Sequence, residues 1–158
     1  MPSRYELFCS SISSIYHFIQ KIERAEMANY GCKGTFAQYL AALHRYPEGM
    51  TATQLCESCD RDKAAVSRAV SEMEHMGLIV RSGTQDNMYR ARLRLTDEGR
   101  QAAEYVCRRA QSAVDAGSRG LTDDERCTLY SVLGRIAGNL EIISRRGLPY
   151  ADDMEDEE

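Results

Sequence analysis

Between residues 62 and 95 the period of the apolar pattern changes from that of a helix to that of a strand, and few folds accommodate such a switch in so short a stretch. Val66, Ala69, Val70 and Met73 recur at three- and four-residue intervals, which puts them on one helix face with Lys63, Ser67, Arg68 and Ser71 on another. Gly77 stands where a left-handed residue stops a helix, and Leu78-Ile79-Val80 is a short β-prone run. Ser82 to Asn87 is dense in turn-formers. From Tyr89 to Leu95 the alternation is strict: Arg90, Arg92 and Arg94 share one strand face, Ala91, Leu93 and Leu95 the other. Upstream, Thr51 and Gln54 have capping-box spacing and predict a short helix from Ala52 to about Cys59. Asp60 opens the next helix, whose periodic run extends from Asp62 to Met76. Two short helices, the second with a free face, followed by a half-buried hairpin make a winged helix-turn-helix.

Three arginines on a strand face also describe an ordinary solvated sheet. Beside a helix with Lys63, Ser67 and Arg68 turned outward, they read better as a surface for nucleic acid. The formal charge of −4 does not oppose this. Residues 151–158 hold six acids and no base, so the rest of the chain carries 20 basic against 18 acidic side chains. Arg61 to Arg94 alone has seven bases and four acids. Charge near the reading surface, within a Debye length, governs attraction to phosphate.

At these positions the chain resembles the MarR family of bacterial transcriptional regulators. The resemblance lies in Asp62-Lys63, Val66-Ser67-Arg68, Met73-Glu74, Gly77-Leu78-Ile79 with a following arginine, and Leu95-Thr96-Asp97-Glu98-Gly99. It reaches back to Thr35-x-x-Gln38-Tyr39 and covers roughly residues 35 to 100. It implies a dimeric regulator of double-stranded DNA, a repressor released by an effector. The helix starting near Asp62 would enter the major groove. Lys63, Ala64, Ala65, Ser67, Arg68, Ser71 and Arg81 form the expected DNA-binding set there, with Arg90 and Arg92 serving the wing. The family commonly carries Asp-x-Arg at the wing tip, whereas this chain has Asp86-Asn87-Met88, and Arg90 is the nearest substitute. That departure, with Ala64 and Ala65 where relatives often place hydroxyls, also suits a winged-helix protein-interaction module without DNA binding. Relatives often bind small aromatic or phenolic anions between their dimer helices and the reader. Tyr16, Tyr30, Phe36, Tyr39 and His44 are the candidates here to line such an effector pocket, or to be plain core.

Two longer helical patterns flank the reader. Phe8, Ile12, Ile15, Ile19 and Ile22 step by four and three, as do Leu129, Leu133, Ile136, Leu140 and Ile143. Thr122-x-x-Glu125 starts the final helix, and Gly147 and Pro149 end it. A third stretch, Gly99 to about Ala116, has Thr96 as N-cap and Ala103, Val106, Ala110 and Val114 along one side. A reader this small needs one stripe from each neighbour, so the surplus apolar surface predicts a homodimer. Phe8, Ile12, Leu133, Ile136, Leu140 and Ile143 would lie in its interface. Its two recognition helices would fall about one DNA turn apart, on a pseudo-palindromic operator. The alternative is that the seams close within a monomer. The expected fold is mostly α with a small β-hairpin wing, in one domain over 1–150. Its DNA-binding core spans about 33–98, its dimerisation helices about 3–28 and 99–146, and residues 151–158 form a disordered acidic tail.

The six cysteines support little special chemistry. Cys56-x-x-Cys59 has the spacing of a zinc half-site, but Cys9, Cys32, Cys107 and Cys127 supply no second pair, so no metal is expected. Ordinary thiols, with Cys56 facing the core, are the simpler reading; a cysteine-based redox-sensing regulator is the alternative. His17, His44 and His75 form no ligand cluster in the sequence. Gly31-Cys32-Lys33-Gly34-Thr35 lacks the spacing of a phosphate loop and reads as a turn before a helix capped by Thr35 and Gln38. No catalytic constellation and no cofactor motif is present, so an enzyme is not expected. No apolar run approaches the length of a membrane span, and the first fifteen residues lack a signal peptide's apolar core. No membrane association and a cytoplasmic location are the expectation.

Overall fold

A computed structural model describes residues 2–82 and 91–148. The chain divides into two compact units, Met1–Gly117 and Ser118–Glu158. The first holds α1 (Arg4–Asn29), a 3-10 turn (Gly34–Phe36), α2 (Ala37–Arg45), α3 (Ala52–Cys59), α4 (Lys63–His75), β1 (Ile79–Ser82), β2 (Arg92–Leu95) and α5 (Asp97–Gly117). The second holds α6 (Asp123–Arg146).

In the first unit α2 is the central element. Ala37, Tyr39, Leu40, Ala42 and Leu43 are all buried, and α1, α3, β2 and α5 pack around it. Leu55 of α3, Val66, Ala69, Val70 and Met73 of α4, Ile79 and Leu93 of the strands, and Ala102, Ala103 and Val106 of α5 complete one core. The helical seam expected on α4 is therefore the face that packs. α1 contributes only Met27 as a buried residue. It is also tied to α5 by polar contacts: both oxygens of Glu26 accept from Arg109, at 2.9 and 3.2 Å, and Tyr105 donates to the same carboxylate at 3.1 Å.

The caps decide where α3 and α4 lie. Thr51 and Gln54 form the expected capping box on α3, with Gln54 N donating to Thr51 Oγ1 at 3.2 Å. Asp60 does not open the second helix. It ends α3 in the left-handed conformation (φ 48°), a region that Asp tolerates better than most residues, and Asp62 is the N-cap of α4. Gly77 follows α4 with φ 72°, as its position predicts. A second expectation fails at Thr35 and Gln38. α2 starts at Ala37 after the 3-10 turn, with Phe36 at its N-cap position and no side-chain cap bond. Burial of Phe36 anchors that entry, and the Gln38 amide oxygen instead accepts from Arg61 at 3.4 Å.

β1 and β2 pair antiparallel with Ile79 opposite Leu95, Val80 opposite Arg94, Arg81 opposite Leu93 and Ser82 opposite Arg92. Ala91 and Leu93 are buried while Arg92 and Arg94 are exposed, so the expected alternation holds over the described part of the strand. Tyr89, Arg90 and the turn from Gly83 lie outside the described residues, as does the acidic segment 151–158. Met50 adds an isolated bridge to Leu93, making the α2–α3 connection a rudimentary third strand.

In the second unit Thr122 and Glu125 form the predicted capping box, Arg126 donates to the Ser118 carbonyl at 3.0 Å, and Gly147 ends α6 with φ 90°. α6 buries no residue: Leu133, Ile136 and Ile143 are half-buried, and Leu129 and Leu140 are exposed.

Candidate nucleic-acid interface

The site is built on α4. Asp62 Oδ1 accepts from Ala65 N at 2.8 Å, and its carboxyl is held below the ordinary range by that bond and by the nearby Ala64 amide and Arg68 guanidinium. The cap and the four buried apolar residues fix which way the helix faces. Lys63, Ala64, Ser67, Arg68 and Ser71 are exposed together on the outer side, and Ala65 is half-buried.

Charge on α4 is sorted along its length. Glu72 accepts from Lys33 Nζ at 2.6 Å, and Glu74 from Arg81 Nε at 2.8 Å. Lys63 and Arg68, nearer the N-terminus, form no ion pair among the described residues. The N-terminal half of the helix thus carries its cations, and the carboxylates of its C-terminal half are neutralised from outside. Lys33 was not a sequence-predicted site residue. It lies 39 positions from Glu72, and no local spacing rule reaches that far.

The wing arginines do not form one cluster. Residues opposite each other across two strands share a sheet face, so Arg81 lies on the side of Leu93, where it meets Glu74. Arg92 and Arg94 lie on the other side with Val80 and Ser82. Both are engaged with the α2–α3 connection: Arg92 Nη1 donates to the Gly49 carbonyl at 3.1 Å and Arg94 Nε to the Glu48 carbonyl at 3.2 Å. Arg90 lies outside the described residues.

The five aromatic and histidine residues expected to line an effector pocket stand in different surroundings. Phe36 and Tyr39, 1% and 3% exposed, are core residues closed in by α2 packing. Tyr30 lies against Tyr105 with ring centroids 5.1 Å apart, Tyr16 is exposed on α1 and accepts from Gln20, and His44 is half-buried. None of them lines the open groove of about 560 Å³ bordered by Arg45, Tyr46, Met50, Gln54, Glu57 and Arg92. Phe8 and Ile12 are exposed on α1 and Leu140 on α6, while Leu133, Ile136 and Ile143 are half-buried. All six thiols are free. Cys56 and Cys59 pack against the core, and burial pushes the Cys59 thiol up to about 11, away from thiolate chemistry. Among the described residues no three metal-ligating side chains converge, and no helix is long and apolar enough to cross a membrane.

Comparison with known proteins bears on the same region. Residues 30–87 match the MarR family model. The HTH-type transcriptional regulator YybA of Bacillus subtilis (strain 168) is 24% identical over 103 residues, covering 65% of this chain and 68% of YybA. A MarR-family transcriptional regulator of Listeria monocytogenes, solved in complex with a 26-mer DNA, superposes with a TM-score of 0.74 at 19% identity, covering 96% of this chain and 99% of that one. Staphylococcus aureus MarR, solved with salicylate and kanamycin, gives a TM-score of 0.71 at 18% identity over 86% of this chain and 91% of that one. The sequence match over residues 30–87 and a fold shared over nearly the whole length make this chain similar to the MarR-family transcriptional regulators.

Proposed function

We propose that this protein is a sequence-specific, double-stranded DNA-binding transcriptional regulator, a homodimeric repressor released by a small aromatic effector. The observation that carries the reading is the outer face of α4, where Lys63 and Arg68 stand without ion-pair partners among the described residues, beside Ser67 and Ser71, while Glu72 and Glu74 are neutralised. Arg68 reads a base edge and Lys63 meets phosphate. Residues 33–98 form the reader. The exposed apolar residues of α1 and α6 supply the dimer contact, which repeats the reader on a pseudo-palindromic operator. The DNA complex of the Listeria relative and the small-molecule complex of the Staphylococcus relative support DNA and an effector as the two partner classes.

The test is Arg68→Ala on an operator selected from a random duplex pool. Affinity for the selected site should fall by roughly 1–3 kcal/mol, and discrimination against a scrambled duplex should fall with it. Equal affinity of variant and wild type removes Arg68 from the site. A wild type that enriches no sequence and shows no salt-dependent binding is a protein-interaction module instead.

A further inference from the structure

Arg92 faces outward from β2, and a cation there invites assignment as a phosphate contact. We propose instead that Arg92 is a positioning residue, which locks the base of the wing to the α2–α3 connection and so fixes how the wing is presented to DNA; the proposal rests on the DNA-binding reading above.

Three kinds of contact converge on this connection. Met50 and Leu93 exchange both backbone bonds, Met50 N donating to Leu93 O at 3.1 Å and Leu93 N to Met50 O at 2.7 Å. Arg92 and Arg94 then reach over it to the carbonyls of Gly49 and Glu48, and Arg94 also lies 3.7 Å from the Glu48 carboxylate. Gly49 completes the lock by having no side chain. Its φ is 85°, and a Cβ there would sit 2.7 Å from the Leu93 carbonyl oxygen and 2.8 Å from Arg94 Cγ. The sheet is only two strands wide, each strand four residues long, and such hairpins are marginal alone. The pinned connection is what supplies a third strand. Because the same connection leads directly into Thr51, the cap of α3, Arg92, with Arg94 and the Met50–Leu93 pair, ties β2 to the helix-turn-helix.

A phosphate contact and a positioning residue differ in their response to salt. Each phosphate neutralised contributes about 0.9 to the slope of log affinity against log salt. Arg92→Gln should weaken binding to the selected operator about fivefold to tenfold, the scale of one lost net hydrogen bond, with the slope of the wild type. Gly49→Ala removes no charge, yet it should give a loss of the same order at the same slope. The double variant should be little worse than either single one, because both break one contact. Affinities are measured well below each variant's thermal midpoint. Should Gly49→Ala fail to fold, Arg92→Gln decides alone.

A slope reduced by about one in Arg92→Gln makes the residue a phosphate contact and overturns the proposal. Wild-type affinity in the folded variant makes the contact merely structural and overturns it equally. Amide exchange of Met50 and Leu93, read without DNA, should quicken in Arg92→Gln; unchanged exchange overturns the lock itself. A wild type that binds no duplex while exchange quickens would sink the DNA-binding reading and leave the lock standing.

Discussion

At the scale of single residues, Glu26 is a charge that joins two helices of the first unit. Its carboxyl is held below the ordinary range, chiefly by the Arg109 guanidinium and further by the Tyr105 hydroxyl, against the opposing effect of burial. A carboxyl whose folded pKa is depressed contributes stability that is present above its unfolded pKa, about 4.3, and is lost as pH falls through the lower folded value. Glu26→Gln should therefore show a shallower acid limb. Urea midpoints between neutral pH and the acid range are the measurement, and parallel limbs for variant and wild type would deny Glu26 the role. None of this was legible in the sequence, because Glu26 and Arg109 are 83 residues apart. What could be read at this scale was local: the caps at Thr51 and Thr122 and the positive φ of Gly77 follow from chemistry within one turn, whereas the start of α4, expected at Asp60, falls at Asp62. Thr35 and Gln38 had the same spacing and failed, since the pattern carries no knowledge that Phe36 would be drawn into the core.

At the scale of elements, the joint between α4 and α5 is the tightest. The Thr96 hydroxyl donates to the Gly77 carbonyl at 2.6 Å and accepts from Gly99 N at 3.0 Å, while Thr96 N donates to the Leu78 carbonyl at 3.0 Å. Gly99 lies so close that an added Cβ would fall 1.8 Å from the Leu78 carbonyl oxygen, a backbone atom that cannot swing aside. Gly99→Ala should cost about 3 kcal/mol, the upper end of overpacking penalties, and a thermal midpoint equal to the wild type's would refute the close approach. The sequence announced the helix and its Thr96 cap, because both are short-range patterns. It could not announce the approach, which depends on where β1 returns. The change of period between α4 and β2 fixed the order of elements in the same way, yet it put Arg81 and Arg92 in one expected set. Only the pairing register separates them onto opposite sheet faces.

At the scale of the whole molecule, apolar surface is the quantity to account for. Seven large apolar or aromatic side chains between Tyr5 and Phe18 of α1 are exposed, and α6 exposes Leu129, Tyr130, Val132, Leu140 and Ile142. Surface of that extent favours association. The wild type should sediment as a dimer at micromolar concentrations, and Leu140→Glu, which would bury an unpaired carboxylate at the interface, should shift it to monomer or aggregate. A wild-type monomer would remove the two-half-site operator. The seams behind this expectation were legible because they repeat over many turns; what covers them was not, since a second copy leaves no mark in the first. The Thr96 joint acquires a meaning at this scale that it lacks within one subunit. Thr96 ties the end of α4 to the start of α5 through its hydroxyl and its amide, so the proposed reading helix would follow α5. In the proposed dimer the two heads would open and close like the jaws of a caliper, their gap following the tilt of α5. Tolerance for operators of different spacer length would then be a matter of how far that helix can lean.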